Sequence, residues 1–243
     1  MISSQSFLLS VVFSIITSFT VFYFLKTKNL LIDQTFSSKH KQLTGNNLSN
    51  RAILAGGIII FLNCLFFFDN QLVLLKILSA LIVIIGTLSD MNKLNSPKIR
   101  IFFQFLIVLF LLLYYQNFLI TDLRIDLLND VLKYQIASVL FTIFCILILM
   151  NGTNFLDGIN TLVIGYYILV LGTIIVTSSK FDLYINYNIF YLLSILIIVF
   201  LFNLFNKVYL GDSGSYLIAF LTAFFILDFV SKNNLVSPYF FCL

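Results

Sequence analysis

Three aspartates border long apolar runs and set the chemical question: Asp90 in IGTLSDMNKLNSPKIR, Asp157 in NGTNFLDGIN and Asp212 in NKVYLGDSGS. Carboxylates brought together repel one another unless a cation or a bound partner compensates them. Mg²⁺ suits acids on separate segments, because it takes a few protein oxygens and completes its shell with water and substrate phosphates. In YLGDSGSY, Gly211 and Gly214 permit a tight turn around Asp212, with Ser213 beside it. A span beginning at Gly214 directs its first amides toward that turn, which makes an anion site. Asn151, Asn154, Asp157 and Asn160 recur every three residues, a spacing that places much of their polar surface on one helical face.

The elements that must position these groups follow from composition. Of 243 residues 60% are hydrophobic and only 10% charged, and the mean hydropathy is +1.06, outside the range of soluble domains. The apolar runs are continuous rather than alternating, so helices satisfy the backbone within the bilayer. Windows of spanning length, judged against about 20 residues per crossing, run over 5–25, 52–68, 72–88, 99–115, 131–150, 161–177, 188–205 and 214–230. The expected fold is all-α: one polytopic transmembrane bundle over residues 1–243, with eight complete spans and a partial ninth at SPYFFCL, hence incomplete at its C-terminus. The many Phe residues read as lipid-facing bulk. Cys64, Cys145 and Cys242 have neither paired nor metal-ligand spacing.

Lys26, Lys28, Lys39, Lys41, Arg51, Lys93, Lys98, Arg100 and Lys207 fall in alternate loops, and Arg124, Lys180 and Lys232 on the other face. The positive-inside rule makes the first group cytoplasmic. Asp90, Asp157 and Asp212 then lie in three loops on that same face, where they can converge. Each element also has a plainer reading. GDSGS is a turn with Asp212 or Ser213 as an N-cap, and Asp90 with Lys93 is an interfacial pair. SPKIR is a positive anchor, and His40 between Lys39 and Lys41 lies in a solvated basic loop that can also gather phosphates. A secondary transporter also uses broken helices, but it places its acids near the midplane and shows internal repeats; neither is present here.

Four stretches in order, AGG in RAILAGGIII, GTLSDMNKLNSPKIRIFFQ, NGTNFLDGIN and GDSGSYLIAF, resemble the polyprenyl-phosphate N-acetylhexosamine-1-phosphate transferases, the glycosyltransferase family 4 group that includes the peptidoglycan precursor transferase. The resemblance implies transfer of a sugar-1-phosphate from a UDP-sugar to undecaprenyl phosphate, with release of UMP, at the cytoplasmic face of a bacterial inner membrane. It implies Mg²⁺, with Mn²⁺ as an alternative, and no nucleic acid; a homodimer is compatible with it. Carried over residue by residue, Asp212 and Asn154 become metal ligands, Asp157 shapes the nucleotide-sugar site, and Asp90 is the second member of the family's Asp-Asp pair. Asn151, Gly211, Ser213, Lys39, His40 and Lys93 become substrate contacts. The first Asp of the pair is Ser89 here, and the second Asp of the usual DGxDG is Asn160. The family's later His-rich loop is missing from the sequence, so an inactive, truncated family member is the alternative expectation beside the transporter.

Overall fold

The protein is described here from a computed structural model, over residues 4–32, 52–159 and 161–233. Among the described residues nine α-helices form in chain order: α1 Ser4–Thr27, α2 Gly56–Phe67, α3 Val73–Asp90, α4 Pro97–Tyr114, the short α5 Asp126–Leu132, α6 Gln135–Leu156, α7 Leu162–Phe181, α8 Asn188–Leu204 and α9 Gly211–Lys232. A two-residue parallel ladder joins β1, Ile53–Leu54, to β2, Val208–Tyr209, pairing Ile53 with Val208 and Leu54 with Tyr209. It fastens the segments that lead into α2 and α9, so both helices start at one end of the bundle.

Among the described residues six helices are long and apolar enough to cross a membrane: Gln5–Thr27, Asn70–Asp90 (α3 with the 3₁₀ turn before it), Pro97–Tyr114, Gln135–Leu156, Leu162–Phe181 and Gly211–Lys232. The windows expected at 52–68 and 188–205 become the apolar but shorter helices α2 and α8. The expected partial ninth span lies outside the described residues. Direction alternates along the chain. Asn188, at the start of α8, bonds Asp69, between α2 and α3. Asn186, before α8, bonds Asp228, near the end of α9. These segments share one end, and the starts of α2 and α9 the other.

α9 is the axis of the bundle. Within its most apolar stretch 89% of residues are buried, against 22–44% in the other spanning helices. Lipid offers apolar surface no reason to leave it, so helices in a bilayer associate where small residues let backbones meet. The first turn of α9 is such a place. A Cβ on Gly57 would stand 2.5 Å from the Ser213 carbonyl carbon, and one on Gly86 would stand 2.5 Å from the Ser213 amide nitrogen. Only glycine lets α2 and α3 close on α9 there. Farther along, Phe220, Phe224, Phe225 and Phe229 are buried, and Phe224 meets Tyr115 and Phe118 edge-on at 5.3 and 5.2 Å between ring centroids. This corrects the reading of Phe as lipid-facing bulk. Phe66, Phe102 and Phe155 do face outward, whereas the Phe residues of α9 build the core.

Candidate functional site

The site forms where the end of α3, the start of α4, the end of α6 and the start of α9 meet. α3 ends with Ser89 and Asp90 because the chain turns at Met91–Asn92, with Asn92 at φ +57°, and Pro97 then opens α4. α9 begins at Gly211, three residues earlier than the span expected from Gly214, and Asp212 thus sits in its first turn. Gly211 has φ +68°, and a Cβ there would lie 2.8 Å from Asp90 Oδ2. Glycine is required on both counts.

Asp90 fills the place that the sequence suggested for an external anion. Its Oδ1 accepts the Asp212 amide at 2.8 Å and its Oδ2 the Ser213 amide at 3.2 Å. The exposed amides at a helix start and its partial positive charge are satisfied from within the protein. Neither Asp212 nor Ser213 acts as the N-cap. Asp90 is not a loop residue but ends α3, whereas Asp157 is the first residue of the turn after α6.

Asp212 is left to a different partner. Arg100 Nη1 donates to Asp212 Oδ2 at 2.5 Å and to Ser89 Oγ at 2.6 Å, while Ser89 Oγ–H donates to the same Asp212 oxygen at 2.5 Å. The ion pair is half-sheltered, with side chains 18% and 26% exposed. Both side-chain bonds fall on Oδ2, which leaves Oδ1 directed elsewhere. Arg100, read from sequence as an anchor in SPKIR, is therefore a member of the site. The missed signal was its spacing: Gln104 lies one turn farther along α4 on the same face, polar within an apolar run, and is fully buried.

α6 carries its amides up to the same place. The helix runs through NGTNFL before it stops, so Asn151 and Asn154 are helical rather than in a loop. Asn151, Asn154 and Asp157 are half-buried while Gly152 and Phe155 face out, as a spacing of three requires. Asn151 Nδ2 donates to Gln104 Oε1 at 2.9 Å, tying α6 to α4. Asn154 Nδ2 donates to the Tyr216 hydroxyl at 2.8 Å, and its Oδ1 accepts Ser215 Oγ–H at 3.0 Å, tying α6 to α9. Ser215 and Tyr216 are further members that the sequence did not mark. Lys93 lies exposed in the α3–α4 turn. Lys39, His40 and Asn160 lie outside the described residues.

Among the described residues no group of three or more His, Cys, Asp or Glu gathers as a ready-made metal site. What is present is the Asp212 carboxylate, with Asp90 turned to the α9 amides and with amide and hydroxyl oxygens nearby: a hard, sparse donor set at the end of a membrane bundle.

A family model described as Glycosyl transferase family 4 matches residues 72–230, which hold every part of this cluster. The chain belongs to glycosyl transferase family 4. Membership indicates a polyprenyl-phosphate sugar-phosphate transferase, a multi-pass membrane protein that joins a sugar-phosphate donor to a polyprenyl phosphate. A search of the curated proteins found no match.

Proposed function

We propose that the chain transfers an N-acetylhexosamine-1-phosphate from a UDP-sugar to undecaprenyl phosphate and releases UMP, at the cytoplasmic face of a bacterial inner membrane, as an initiating step of cell-envelope glycan synthesis. The observation that carries this reading is the meeting of Asp212, Arg100 and Ser89 at one end of a bundle of apolar helices. A reaction between a soluble nucleotide and a lipid-borne phosphate belongs at such an end, within reach of both phases.

In this reading an oxygen of the lipid phosphate attacks the phosphorus that carries the sugar. The bond from that phosphorus to the bridging oxygen breaks, and UMP leaves with the electron pair. Catalysis is then mostly positioning and charge compensation. Arg100 supplies a fixed positive charge, and Asp157 with Asn151 shapes the nucleotide-sugar end. Lys39, His40 and Lys93 contact phosphates. Asp212 and Asn154 offer the oxygens for Mg²⁺, or Mn²⁺ in its place; the all-oxygen, one-carboxylate donor set fits an ion that keeps most of its shell for water and phosphate. Such an ion offsets charge on the diphosphate. Ser89, standing where the family has an Asp, cannot serve as a base. A phosphate monoester with a second pKa of about 6 is already an anion near neutrality, so the acceptor needs none.

The test is UMP release by the purified chain in detergent, with undecaprenyl phosphate, Mg²⁺ and a panel of UDP-N-acetylhexosamines. Release that requires both lipid and divalent ion, with one donor preferred, is the expected result. Silence with every donor, or release unchanged in Asp212→Asn, would overturn the reading.

A further inference from the structure

Arg100 makes both of its site bonds through a single nitrogen. Nη1 serves Asp212 Oδ2 and Ser89 Oγ, while Nε is buried and, among the described residues, has no hydrogen-bond partner. One turn along the same face of α4, Gln104 Nε2 is also buried and unpartnered, although Gln104 Oε1 accepts from Asn151. Buried donors are nearly always paired, and an unpaired one is costly. A guanidinium has a second bonding edge suited to two oxygens of a phosphate. Here that edge includes the unused Nε.

The charge on Asp212 is also already met. Asp90 is committed to the first amides of α9, and the carboxylate beside it, Asp212, is paired with Arg100. Ser89, the nearest other ligand of the pair, adds no charge. A dication approaching Asp212 Oδ2 meets a guanidinium bonded to that very oxygen, and like charges at such range repel.

We infer that Arg100 is an exchangeable counter-ion: it holds Asp212 against divalent cations until a diphosphate draws its guanidinium away, so that cation and diphosphate bind cooperatively. The inference rests on reading the site as one for a diphosphate-bearing donor. Arg100 acts through Asp212 in the free site and on the diphosphate in the loaded one. It is a positioning residue first.

Mn²⁺ binding to the full chain in detergent, read from its electron paramagnetic resonance signal with and without saturating UDP and against protein-free Mn²⁺–UDP controls, tests this without any turnover. UDP should tighten Mn²⁺ binding by about tenfold, within the usual range of coupling between sites. Arg100→Gln should bind Mn²⁺ without UDP about as tightly as the loaded wild type and lose most of the coupling. Arg100→Lys, which keeps the charge, should retain part of it. Asp212→Asn should abolish both effects. Coupling that persists in Arg100→Gln, or Mn²⁺ binding in UDP-free Arg100→Gln that matches the UDP-free wild type, would overturn the proposal. Should Arg100→Gln fail to fold, Ser89→Ala decides: it keeps every charge but frees one anchor of Nη1, so UDP-free Mn²⁺ affinity must rise, and no rise refutes the counter-ion. Failure of the transferase reading looks different. Coupling that behaves as expected in a chain that releases no UMP from any donor would keep the counter-ion and remove the reaction.

Discussion

α9 carries an aspartate near each end, and the two are handled in opposite ways. Asp228 is paired with Lys232 of its own helix at 2.8 Å, and Asn186 donates to its second oxygen at 3.1 Å. Around it every amide is used. Asn188 binds both Asp69 and Asn186, and Asn233 accepts the Tyr184 amide while donating to the Tyr184 and Phe229 carbonyls. Lys232 also sits 4.3 Å from the Tyr184 ring centroid. That network stitches the connections α2–α3 and α7–α8 to the end of α9, and among the described residues none of its buried side-chain atoms lacks a partner. Asp212 takes its cation from a different helix, receives its side-chain bonds on one oxygen, and lies beside buried donors that find no partner among the described residues. A fully satisfied network specifies a fold, whereas an incompletely satisfied one at a helix start is what a ligand completes.

The comparison breaks most simply at the two aspartates. Asp212→Asn should lower UMP release by about 10²–10³-fold, the scale for removing a group that stabilises developing charge. Asp228→Asn should leave release within about twofold, since distant sites without shared partners act independently. Equal losses in both would make Asp212 a structural acid like its counterpart. Gly86→Ala comes next. Its methyl would collide with the Ser213 backbone and push α3 from α9, at a cost of about 1–3 kcal/mol for overpacking. Because Asp90 and Asp212 lie on those two helices, turnover should fall along with the thermal midpoint.

The helices themselves were legible because each apolar window is long and uninterrupted, and the site's location was legible because acids and amides at span ends have no lipid reason to be there. The ends were less so. NGTNFL reads as a break because of Gly152, yet Thr153 and Asn154 find partners on α7 and α9 that keep α6 helical to Leu156. GDSGS reads as a turn before a helix, but the Asp90 carboxylate supplies the acceptors for the amides of 212 and 213 and lets the helix begin at Gly211. Such satisfaction comes from residues on other helices, as far as 122 positions away for Asp90 and the Asp212 amide, which no local pattern contains. Arg100 was hidden for the same reason: its charge explains topology equally well, and only the packing of α4 against α3, which itself packs on α9, brings it to Ser89 and Asp212. The buried Phe residues of α9 look identical in sequence to the lipid-facing ones on other helices.

At the closed end, Asn188→Ala should cost about 1 kcal/mol, because it removes the hydrogen bonds that the buried Asn188 makes to the exposed Asp69 and the half-buried Asn186. The expected signature is a lower melting midpoint in detergent with UMP release per folded molecule unchanged. A loss of turnover out of proportion to the loss of fold would show that the two ends communicate, and the contrast drawn between them would weaken.

The smallest effect belongs to Asp122, in the connection between α4 and α6. The Arg124 amide at 2.7 Å and Asn129 Nδ2 at 2.6 Å hold its carboxyl below the ordinary carboxylate value. A lowered folded-state pKa means that the folded form favours the anion. Its contribution is present above the unfolded value of about 3.9 and is lost as pH falls through the folded value. The group is fully exposed, so solvent screening keeps that contribution small. Asp122→Asn should therefore lower the melting midpoint slightly near neutrality, with the gap to wild type narrowing as pH falls below about 4 and turnover unaffected. A gap that widened on acidification would reverse the sign assigned to this turn, and would show that exposed turns in this chain contribute more than the two networks at the ends of α9 suggest.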